Sequence, residues 1–506
     1  MTQGSSPRCL QMKPILGLWV LGALIVALLL SASDAPAQIY SVLHSFCSDG
    51  NCWDDGYVPE GPLSQASDGN LYGTTVGRLD GTTLSEGFGT VFKMAFGGSL
   101  TTVHDFCMEG TDPFCLDGAG PSGGLIQATN GAVYGTTARG GTRGGGIIFE
   151  LTPGGLTDLY NFCGTGTCPG GTGPIGLAQA SDGVFYGMAA GGGYNHYGTI
   201  ISITAGGSET TLYRFCGDSN EQCLQGAYPN GSLMQAADGF LYGTAMDGGS
   251  GGGGTVFKLA HGEVTALYTF CSPGSCPDGA EPTGGLVQAP DGNFYGTTFQ
   301  YGGSIFKLTP DGELTTLYKF DCTPCPDGDI PNGPLVQATD GNFYGTTNQG
   351  GANNAGTIFR VTPGGVLTTL YRFCSGGAYP ISCPDGEGPA TGLIQATDGN
   401  LYGTTPFGGD CGIGYGCGVV FMLNVGLGPF VALRTKFGDV GATVNILGTN
   451  LTGATNVTFN GTSATFTVNS SGTSIAATVP SGATTGTVQV VTPNGTLQSN
   501  VVYRVK

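Results

Sequence analysis

Cysteines are the residues of this 506-residue chain whose spacing most clearly implies chemistry. Apart from Cys9, they fall into eight sequence-local pairs: Cys47/Cys52, Cys107/Cys115, Cys163/Cys168, Cys216/Cys223, Cys271/Cys276, Cys322/Cys325, Cys374/Cys383 and Cys411/Cys417. An even number of closely spaced cysteines is typical of disulfides formed in an oxidising compartment. The sequence therefore predicts eight local disulfides and an extracytoplasmic protein.

Zinc binding and redox catalysis are the other uses of paired cysteines. Only Cys322 and Cys325 have the CxxC spacing, no second CxxC accompanies them, and the whole chain has four histidines. A structural zinc site needs four such ligands, and a reactive thiol needs a helix N-terminus or a cation to lower its pKa. We assign no metal and no cofactor, and we interpret this pair as another disulfide.

Histidines are the next candidates for catalysis. His44 and His104 occupy a position that holds tyrosine in other repeats, so we interpret both as structural, and His261 lies in a predicted turn, where surface exposure is enough to explain it. His196 lies in the sequence Tyr194-Asn195-His196-Tyr197 within a variable loop, but no partner carboxylate can be assigned to it. No catalytic residue is predicted.

The composition excludes one class of partner. The formal net charge is -19, with 16 lysines and arginines in total, whereas phosphate backbones are bound by clustered cations. Nucleic acid is therefore excluded as a partner. The 96 glycines would suggest disorder if tyrosine and phenylalanine did not recur at fixed positions between them.

The N-terminal segment has the pattern of a signal peptide. Arg8 and Lys13 precede an uncharged apolar run, and small residues follow up to Ala37. We expect residues 1–37 to be removed, with no membrane span afterwards. An uncleaved anchor is the alternative, because the run is nearly long enough to cross a bilayer. The expected location is secreted, periplasmic or at the cell surface.

A repeated motif organises residues 38–429. The pattern Leu-x-Gln-Ala-x-Asp-Gly-x-x-Tyr-Gly-Thr-Thr recurs around seven tyrosines: Tyr72, Tyr134, Tyr186, Tyr242, Tyr295, Tyr344 and Tyr402. Its Asp-Gly pair predicts a tight hairpin between two strands, here named a (Leu-x-Gln-Ala) and b (Tyr-Gly-Thr-Thr). Its glutamines either ring a central channel or satisfy backbone groups between repeats.

Two further strands complete each repeat. Strand c has the pattern Gly-Thr-x-Phe, and strand d has the pattern Leu-Tyr-x-Phe. Four short antiparallel strands in each of seven repeats predict an all-β, seven-bladed β-propeller. Because the chain begins with a d strand, Ile39 to Phe46, we expect that segment to close the ring as the outer strand of the Tyr402 repeat.

The composition changes after Gly428, where cysteine disappears and short runs of threonine and valine alternate with polar residues. Residues 430–506 are therefore predicted to form an immunoglobulin-like β-sandwich.

Both regions resemble known families. Residues 430–506 resemble the IPT/TIG domain family in three segments: Gly448-Thr-Asn-Leu, Val479-Pro-Ser-Gly-Ala-Thr-Thr-Gly and Thr492-Pro-Asn-Gly. The resemblance implies an accessory module without catalytic residues. The seven-fold motif resembles the GloVer tandem-repeat proteins from Ile39 to about Asn424. That resemblance implies an exported protein and brings no established activity.

The loops between strands b and c vary most in length and carry the distinctive side chains. Variable loops on a constant scaffold are the usual place for recognition. The ligand-binding candidates are Arg78, Asp80, Glu86, Arg139, Arg143, Tyr194, Asn195, His196, Tyr197, Asp247, Tyr301, Asn353, Asn354 and Asp410. Aromatic rings beside amides and charges suit a polar ligand, a glycan or a peptide.

Three functions fit these observations. A binding or interaction protein is favoured, a carbohydrate-active or lyase-type propeller enzyme is the alternative, and a structural component of the cell envelope is the third.

The cysteine spacing gives a first prediction. Peptide mapping without reduction should recover the eight local pairs, because each cysteine has its nearest neighbour within the same loop. A long-range bridge, or a thiol that reacts in the folded protein, would contradict the pairing.

Overall fold

The computed structural model describes residues 38–506 except 49–54, 81–82, 86–87, 108–114, 122, 164–167, 194, 218–222, 272–274, 321–324, 376–382 and 412–415. Regular secondary structure in this part of the chain is all β. It contains no helix of the length and apolarity needed to cross a membrane. The signal peptide expected in residues 1–37 lies outside it.

Residues 39–424 form sheets of four strand types, in the order a-b-c-d, and the sheets are numbered here 1 to 7 along the chain. The a strands are Ser64–Gln65, Ile126–Gln127, Cys168–Gln179, Ala227–Gln235, Ala280–Gln288, the broken pair Asp329–Pro331 and Val336–Gln337, and Ile394–Gln395. The b strands are Leu71–Thr75, Val133–Thr137, Phe185–Gly193, Leu241–Asp247, Phe294–Gln300, Phe343–Gln349 and Leu401–Thr405. The c strands are Thr90–Met94, Gly144–Thr152, Thr199–Ile203, Thr255–Ala260, Ser304–Leu308, Thr357–Val361 and Val419–Asn424. The d strands are Leu100–Asp105, Gly155–Cys163, Glu209–Arg214, Glu263–Thr269, Leu314–Lys319, Leu367–Arg372 and, in sheet 7, Ile39–Ser45. A separate two-stranded hairpin, Arg78–Asp80 with Thr83–Ser85, extends the first b-to-c loop.

The N-terminal strand closes the series of sheets, as the strand order of the sequence predicts. Ile39–Ser45 pairs antiparallel with Val419–Asn424, the c strand of sheet 7. This pairing joins the two ends of the repeat region and supplies the fourth strand of sheet 7.

The Asp-Gly turns fix the hairpin between strands a and b. In sheet 6 the Asp340 carboxylate accepts hydrogen bonds from the backbone N–H of Asn342 (3.1 Å) and from the Tyr344 hydroxyl (2.9 Å). Gly341 has a φ of 80°, which a residue with a side chain rarely adopts. The repeated aspartate is thereby explained by the turn itself, and the repeated tyrosine has a buried ring and a bonded hydroxyl.

Phenylalanines hold neighbouring sheets together. The d-strand phenylalanine of one sheet packs against the c-strand phenylalanine of the next, with ring centroids 5.4–5.6 Å apart. Phe46 makes the same contact with Phe92 of sheet 1, so the series continues across the two chain ends. The glycine after each repeated tyrosine makes room for this ring, since a Cβ on Gly403 would lie 2.5 Å from Phe421 Cζ.

Glutamine amides link the inner strands into a circle. The Oε1 atom of each a-strand glutamine accepts a hydrogen bond from a backbone N–H two residues beyond the glutamine of the preceding sheet. Thr397 of sheet 7 donates to Gln65 of sheet 1 at 3.0 Å, which closes the circle. The link from sheet 5 to sheet 6 is different, because Pro290 stands at the donor position and has no N–H. The glutamines therefore satisfy backbone groups between repeats.

The C-terminal module consists of two sheets. One contains Ala432–Leu433, Thr443–Leu447, Ser474–Thr478 and Phe466–Val468, and the other contains Phe437–Gly438, Gly495–Val505, Gly486–Thr492, Asn456–Phe459 and Thr462–Ser463. Val444 and Ile475 from the first sheet share a buried core with Phe459, Val488 and Tyr503 from the second. The strands lie where the alternation of residues predicts them.

This module docks on the edge of the repeat region that carries the Asp-Gly turns, here called the turn edge. The Ser67 carbonyl accepts hydrogen bonds from Thr473 Oγ1 (2.6 Å) and Asn469 Nδ2 (3.1 Å). On sheet 7 the Thr397 hydroxyl bonds that of Thr449 at 2.8 Å. The groups of the repeat region in these contacts, the Ser67 carbonyl and the Thr397 hydroxyl, each belong to a residue two positions beyond an a-strand glutamine.

Six of the predicted disulfides are present in the described part of the chain: Cys107–Cys115, Cys163–Cys168, Cys216–Cys223, Cys271–Cys276, Cys374–Cys383 and Cys411–Cys417. Cys47 is also disulfide-bonded, while Cys52 and Cys322, members of the other two predicted pairs, lie outside the described residues.

The glutamine circle generates a second prediction. Gln288→Leu should lower the free energy of unfolding by about 1 kcal/mol more than Gln337→Leu, because a lost acceptor leaves a backbone donor unpaired. Both amides donate to a turn carbonyl, at 3.0 and 3.1 Å, but only Gln288 also accepts from a backbone N–H, that of Ala237. Urea unfolding of both variants measures the difference, and equal losses would mean that the inter-sheet bonds contribute nothing.

Candidate functional site

The edge opposite the turn edge carries the b-to-c loops and the disulfide loops, and is called here the loop edge. Backbone N–H groups of b-to-c loops donate to the carbonyl of a nearby disulfide cysteine, as from Gly141 to Cys115, Gly249 to Cys223 and Gly409 to Cys383, at 2.8–2.9 Å. Each disulfide loop is thereby held against the b-to-c loop of its own sheet. These two loop sets share one edge.

In every repeat a left-handed residue precedes a proline on this edge, six or seven positions before the a-strand glutamine. The residues in this position, called the mouth residues, are Val58, Gly120, Gly173, Tyr228, Glu281, Ile330 and Gly388, with φ between 52° and 63°. Three are glycines, for which this conformation is easy. For the other four it is strained, most of all for β-branched Val58 and Ile330, and a following proline restricts the backbone further.

Contacts with the preceding sheet hold the mouth residues in this conformation. The N–H of Tyr228 donates to the Tyr197 carbonyl (2.9 Å), and that of Glu281 donates to the Gly253 carbonyl (2.8 Å). The prolines that follow pack against glycines of the neighbouring loop, so closely that a Cβ on Gly254 would lie 2.6 Å from Pro282 Cδ. The scaffold thus determines the backbone, and the side chain is free to vary between glycine and bulky residues.

A cleft of about 610 Å³ opens between the mouth residues of sheets 3, 4 and 5. Its lining consists of Ala138, Gly173, Pro174, Ile175, Ala190, Tyr228, Pro229, Asn230, Met246, Asp247 and Glu281. We call it the mouth cleft. Its walls are mainly aliphatic and aromatic, and its polar groups are two carboxylates, an amide and a phenol, a combination typical of ligand sites.

Two carboxylates give the mouth cleft its charge. Burial raises the pKa of Glu281, the nearby charge of Asp247 raises it further, and a hydrogen bond from the Gln300 amide lowers it. Neither acid forms an ion pair with a lysine or arginine in the described residues. The cleft is therefore an electronegative site that a cationic group would stabilise.

Three of the candidate residues from the sequence lie at or beside this cleft. Asp247 lines it. Tyr197 is half-buried behind it and packs edge-to-face against Tyr228, with ring centroids 5.4 Å apart. Exposed Arg139 follows lining residue Ala138, and its backbone pairs with Ala119.

Three other candidates form hydrogen bonds with backbone groups of the loops. Asn195 and Asn353 occupy equivalent positions, and their side-chain amides donate to the carbonyls of Cys216 (2.7 Å) and Cys374 (2.5 Å). Asn354 accepts from the Gly350 N–H at 2.9 Å. These three amides thus have structural partners and do not line the mouth cleft.

The remaining candidates are spread over the loop edge. His196 and Tyr301 are exposed, both with positive φ, and Arg143 and Asp410 are exposed as well. For Arg78 and Asp80 only the backbone, in the two-stranded hairpin, is described. Glu86 and Tyr194 lie outside the described residues. The structure does not bring all the candidates together at one site.

The two histidines interpreted as structural have that role. His44 Nε2 lies 2.9 Å from an Asp55 carboxylate oxygen, and His104 Nε2 lies 3.0 Å from one of Asp117. In sheet 4 the equivalent bond runs from the Tyr268 hydroxyl to Asp278, at 2.7 Å. Histidine replaces tyrosine here as a partner of the same aspartate.

The sequence analysis missed Tyr228 and Glu281. The signal was available: when the repeats are aligned on the proline that follows each mouth residue, three repeats have glycine before it and four have larger residues. A position that holds glycine in some repeats and bulky residues in others indicates a positive φ at that position. In the repeats that have a bulky residue there, that residue is strained.

Comparison with known proteins identifies the repeat. The model of the Gloeobacter/Verrucomicrobia repeat family matches residues 31–173, 167–304 and 228–475. No curated protein matches the chain.

Solved structures resemble the chain only distantly. The extracellular domain of a hybrid two component system from B. thetaiotaomicron is 12% identical, with 88% of this chain and 52% of that one covered and a TM-score of 0.47. A fungal alcohol oxidase of the AA5 family is 12% identical, covering 92% and 98%, with a TM-score of 0.45. A luciferin-regenerating enzyme is 11% identical, covering 78% and 97%, with a TM-score of 0.39. Likenesses at this level carry no argument about activity.

The pKa of Glu281 generates a third prediction. Because its pKa is raised in the folded state, ionisation of Glu281 costs stability as the pH rises from the ordinary glutamate value towards neutrality. Glu281→Gln, which keeps an amide partner for Gln300, should therefore be more stable than the parent protein at pH 7, and the difference should disappear as the pH falls well below 4.5, where the carboxyl group is neutral in both the folded and the unfolded protein. Thermal unfolding of both proteins across this pH range measures the difference, and a constant difference would show that Glu281 is not perturbed.

Proposed function

Because this chain belongs to the Gloeobacter/Verrucomicrobia repeat family, whose model matches most of its length, we propose that it is an exported binding protein that recognises its ligand at the mouth cleft. The observation that carries the proposal is the strain at Tyr228 and Glu281. Each adopts a φ that costs roughly 1–2 kcal/mol for a residue with a side chain, in a position where other repeats use glycine. Strain retained at a cleft is expected where the side chains serve recognition.

The architecture proposed for this function is a seven-bladed β-propeller with an IPT/TIG-type immunoglobulin-like module. The circle of glutamine bonds, the phenylalanine contacts and the pairing of Ile39–Ser45 with the last sheet support a closed ring. The two C-terminal sheets with a shared core support a sandwich. The disulfides support an extracytoplasmic location, secreted, periplasmic or at the cell surface.

The ligand proposed is a peptide that presents a lysine or arginine side chain. Asp247 and Glu281 would bind its cation, and the ring of Tyr228 and the side chain of Met246 would contact its aliphatic stem. The overall charge of -19 would attract such a peptide from a distance. A neutral glycan could donate hydroxyl hydrogen bonds to these carboxylates, but it would not neutralise their charge.

A fourth prediction separates recognition from folding. Glu281→Gly should raise the free energy of unfolding by about 1 kcal/mol, because glycine removes the strain, and should weaken peptide binding about tenfold. Ile330→Gly is the matched control, since Ile330 holds the same backbone position in sheet 6 and does not line the cleft. It should raise stability in the same way and leave binding unchanged.

The assay uses the mature protein on an array of lysine- and arginine-containing peptides, with a glycan array in parallel, and urea unfolding for stability. Equal loss of binding in both variants would contradict recognition at the cleft. Binding of glycans without peptides would overturn the ligand class.

A further inference from the structure

A second cavity lies at the turn edge, between the glutamine circle and the C-terminal module. It has a volume of about 280 Å³ and is separate from the mouth cleft. The sheet side supplies Ile126, Gln127, Thr129, Ala178, Gln179, Ala180, Ser181, Leu233, Met234 and Gln235, and the module supplies the segment Arg434 to Phe437. The cavity is therefore formed only when the module docks.

Two cations from the module enter this cavity. Arg434 Nη2 donates to the Gln65 carbonyl and to Gln127 Oε1 (3.1 Å), whereas its Nε is buried with no hydrogen-bond partner. Burial lowers the pKa of Arg434 to about 10. Lys436 lines the cavity and its side chain is exposed, so its ammonium group is open to a ligand.

A third cation stands at the rim. Lys506 Nζ lies 3.4 Å from the hydroxyl of Ser181, a lining residue, and 5.2 Å from the ring centroid of Phe437. The segment that carries Arg434 and Lys436 is held by backbone bonds, from the Arg434 N–H to Asn445 (3.0 Å) and from the Arg504 N–H to the Lys436 carbonyl (2.8 Å). The backbone of the segment that carries these positive groups is thus fixed in place.

No carboxylate balances this charge inside the cavity. Its lining contains no aspartate or glutamate, although the chain has 35 acidic residues against 16 basic ones. The nearby charge of Asp68 opposes the lowering of the Arg434 pKa by burial, whereas no acid stands beside Lys436 among the lining residues. A bound anion would stabilise these closely placed cations.

From this arrangement we infer that the turn-edge cavity is a binding site for a small oxyanion, either a phosphate or a carboxylate. Lys436 would donate to its oxygens, Arg434 would add positive charge beside it, and the Thr129 and Ser181 hydroxyls would complete the contacts. The site is independent of the ligand at the mouth cleft. Because both sides of the cavity contribute, the anion would also bind the C-terminal module more tightly to the ring of sheets.

The test is calorimetric titration of the full mature protein with sodium phosphate and, in a second arm, with sodium glucuronate, both against sodium chloride at equal ionic strength. We expect one of the two anions to bind at a single site and to raise the melting temperature. Lys436→Met should weaken that binding about tenfold or more, and Lys436→Arg, which keeps the charge, should restore most of it.

Lys319→Met is the matched control, because Lys319 is exposed on a d strand far along the chain from the cavity residues. It should bind the anion as the parent protein does. Glu281→Gly should also bind it normally, so a failure of the mouth-cleft proposal would not affect this result. Binding of neither anion above the chloride control, or equal loss in the Lys436→Met and Lys319→Met variants, would overturn the site.

Discussion

Closure of the ring of sheets is the constraint on which the other features depend. Glutamine amides join neighbouring sheets at six of the seven junctions, phenylalanine pairs also join six, and the contacts that close the series link residues more than 300 positions apart, Gln65 with Thr397. Ile39–Ser45 completes sheet 7 only because the chain starts with the strand type that its last repeat lacks. Without this pairing, strand c of sheet 7 would be an unpaired edge, and the face of sheet 1 that contacts Phe46 would be uncovered.

The closed ring also explains how strained residues persist at the mouth. The backbone of each mouth residue is held by a hydrogen bond and a proline contact with the preceding sheet, so the left-handed conformation is the same whether the residue is Gly173 or Ile330. Local preference is overruled by contacts that are repeated around the ring. The scaffold can therefore present different side chains at equivalent positions, which is the property expected of a surface for recognition.

The two ends of the ring differ in charge. The mouth cleft on the loop edge has the unpaired carboxylates of Asp247 and Glu281, whereas the cavity on the turn edge has Arg434 and Lys436 with no acid in its lining. The cations that line the cavity come from the C-terminal module, and the repeats contribute amides and hydroxyls to the same lining. The turn edge around it carries the repeated aspartates, two of which pair with Lys258 and Lys307 of the repeats.

The sequence by itself determined the strand order, the hairpin turns, the N-terminal closing strand and the local disulfide pairs, because each depends on residues close in sequence or repeated at a fixed spacing. It also identified His44 and His104 as structural, since their repeat position is shared with tyrosine. Tertiary structure alone decided that Asn195 and Asn353 bind loop carbonyls, that Tyr228 and Glu281 face a cleft, and that Arg434 and Lys436 meet the glutamine circle. These facts depend on contacts between different sheets or between the ring and the module. The periodicity of the sequence predicts the structure of each repeat, but it does not show which side chains from different repeats line the same cavity.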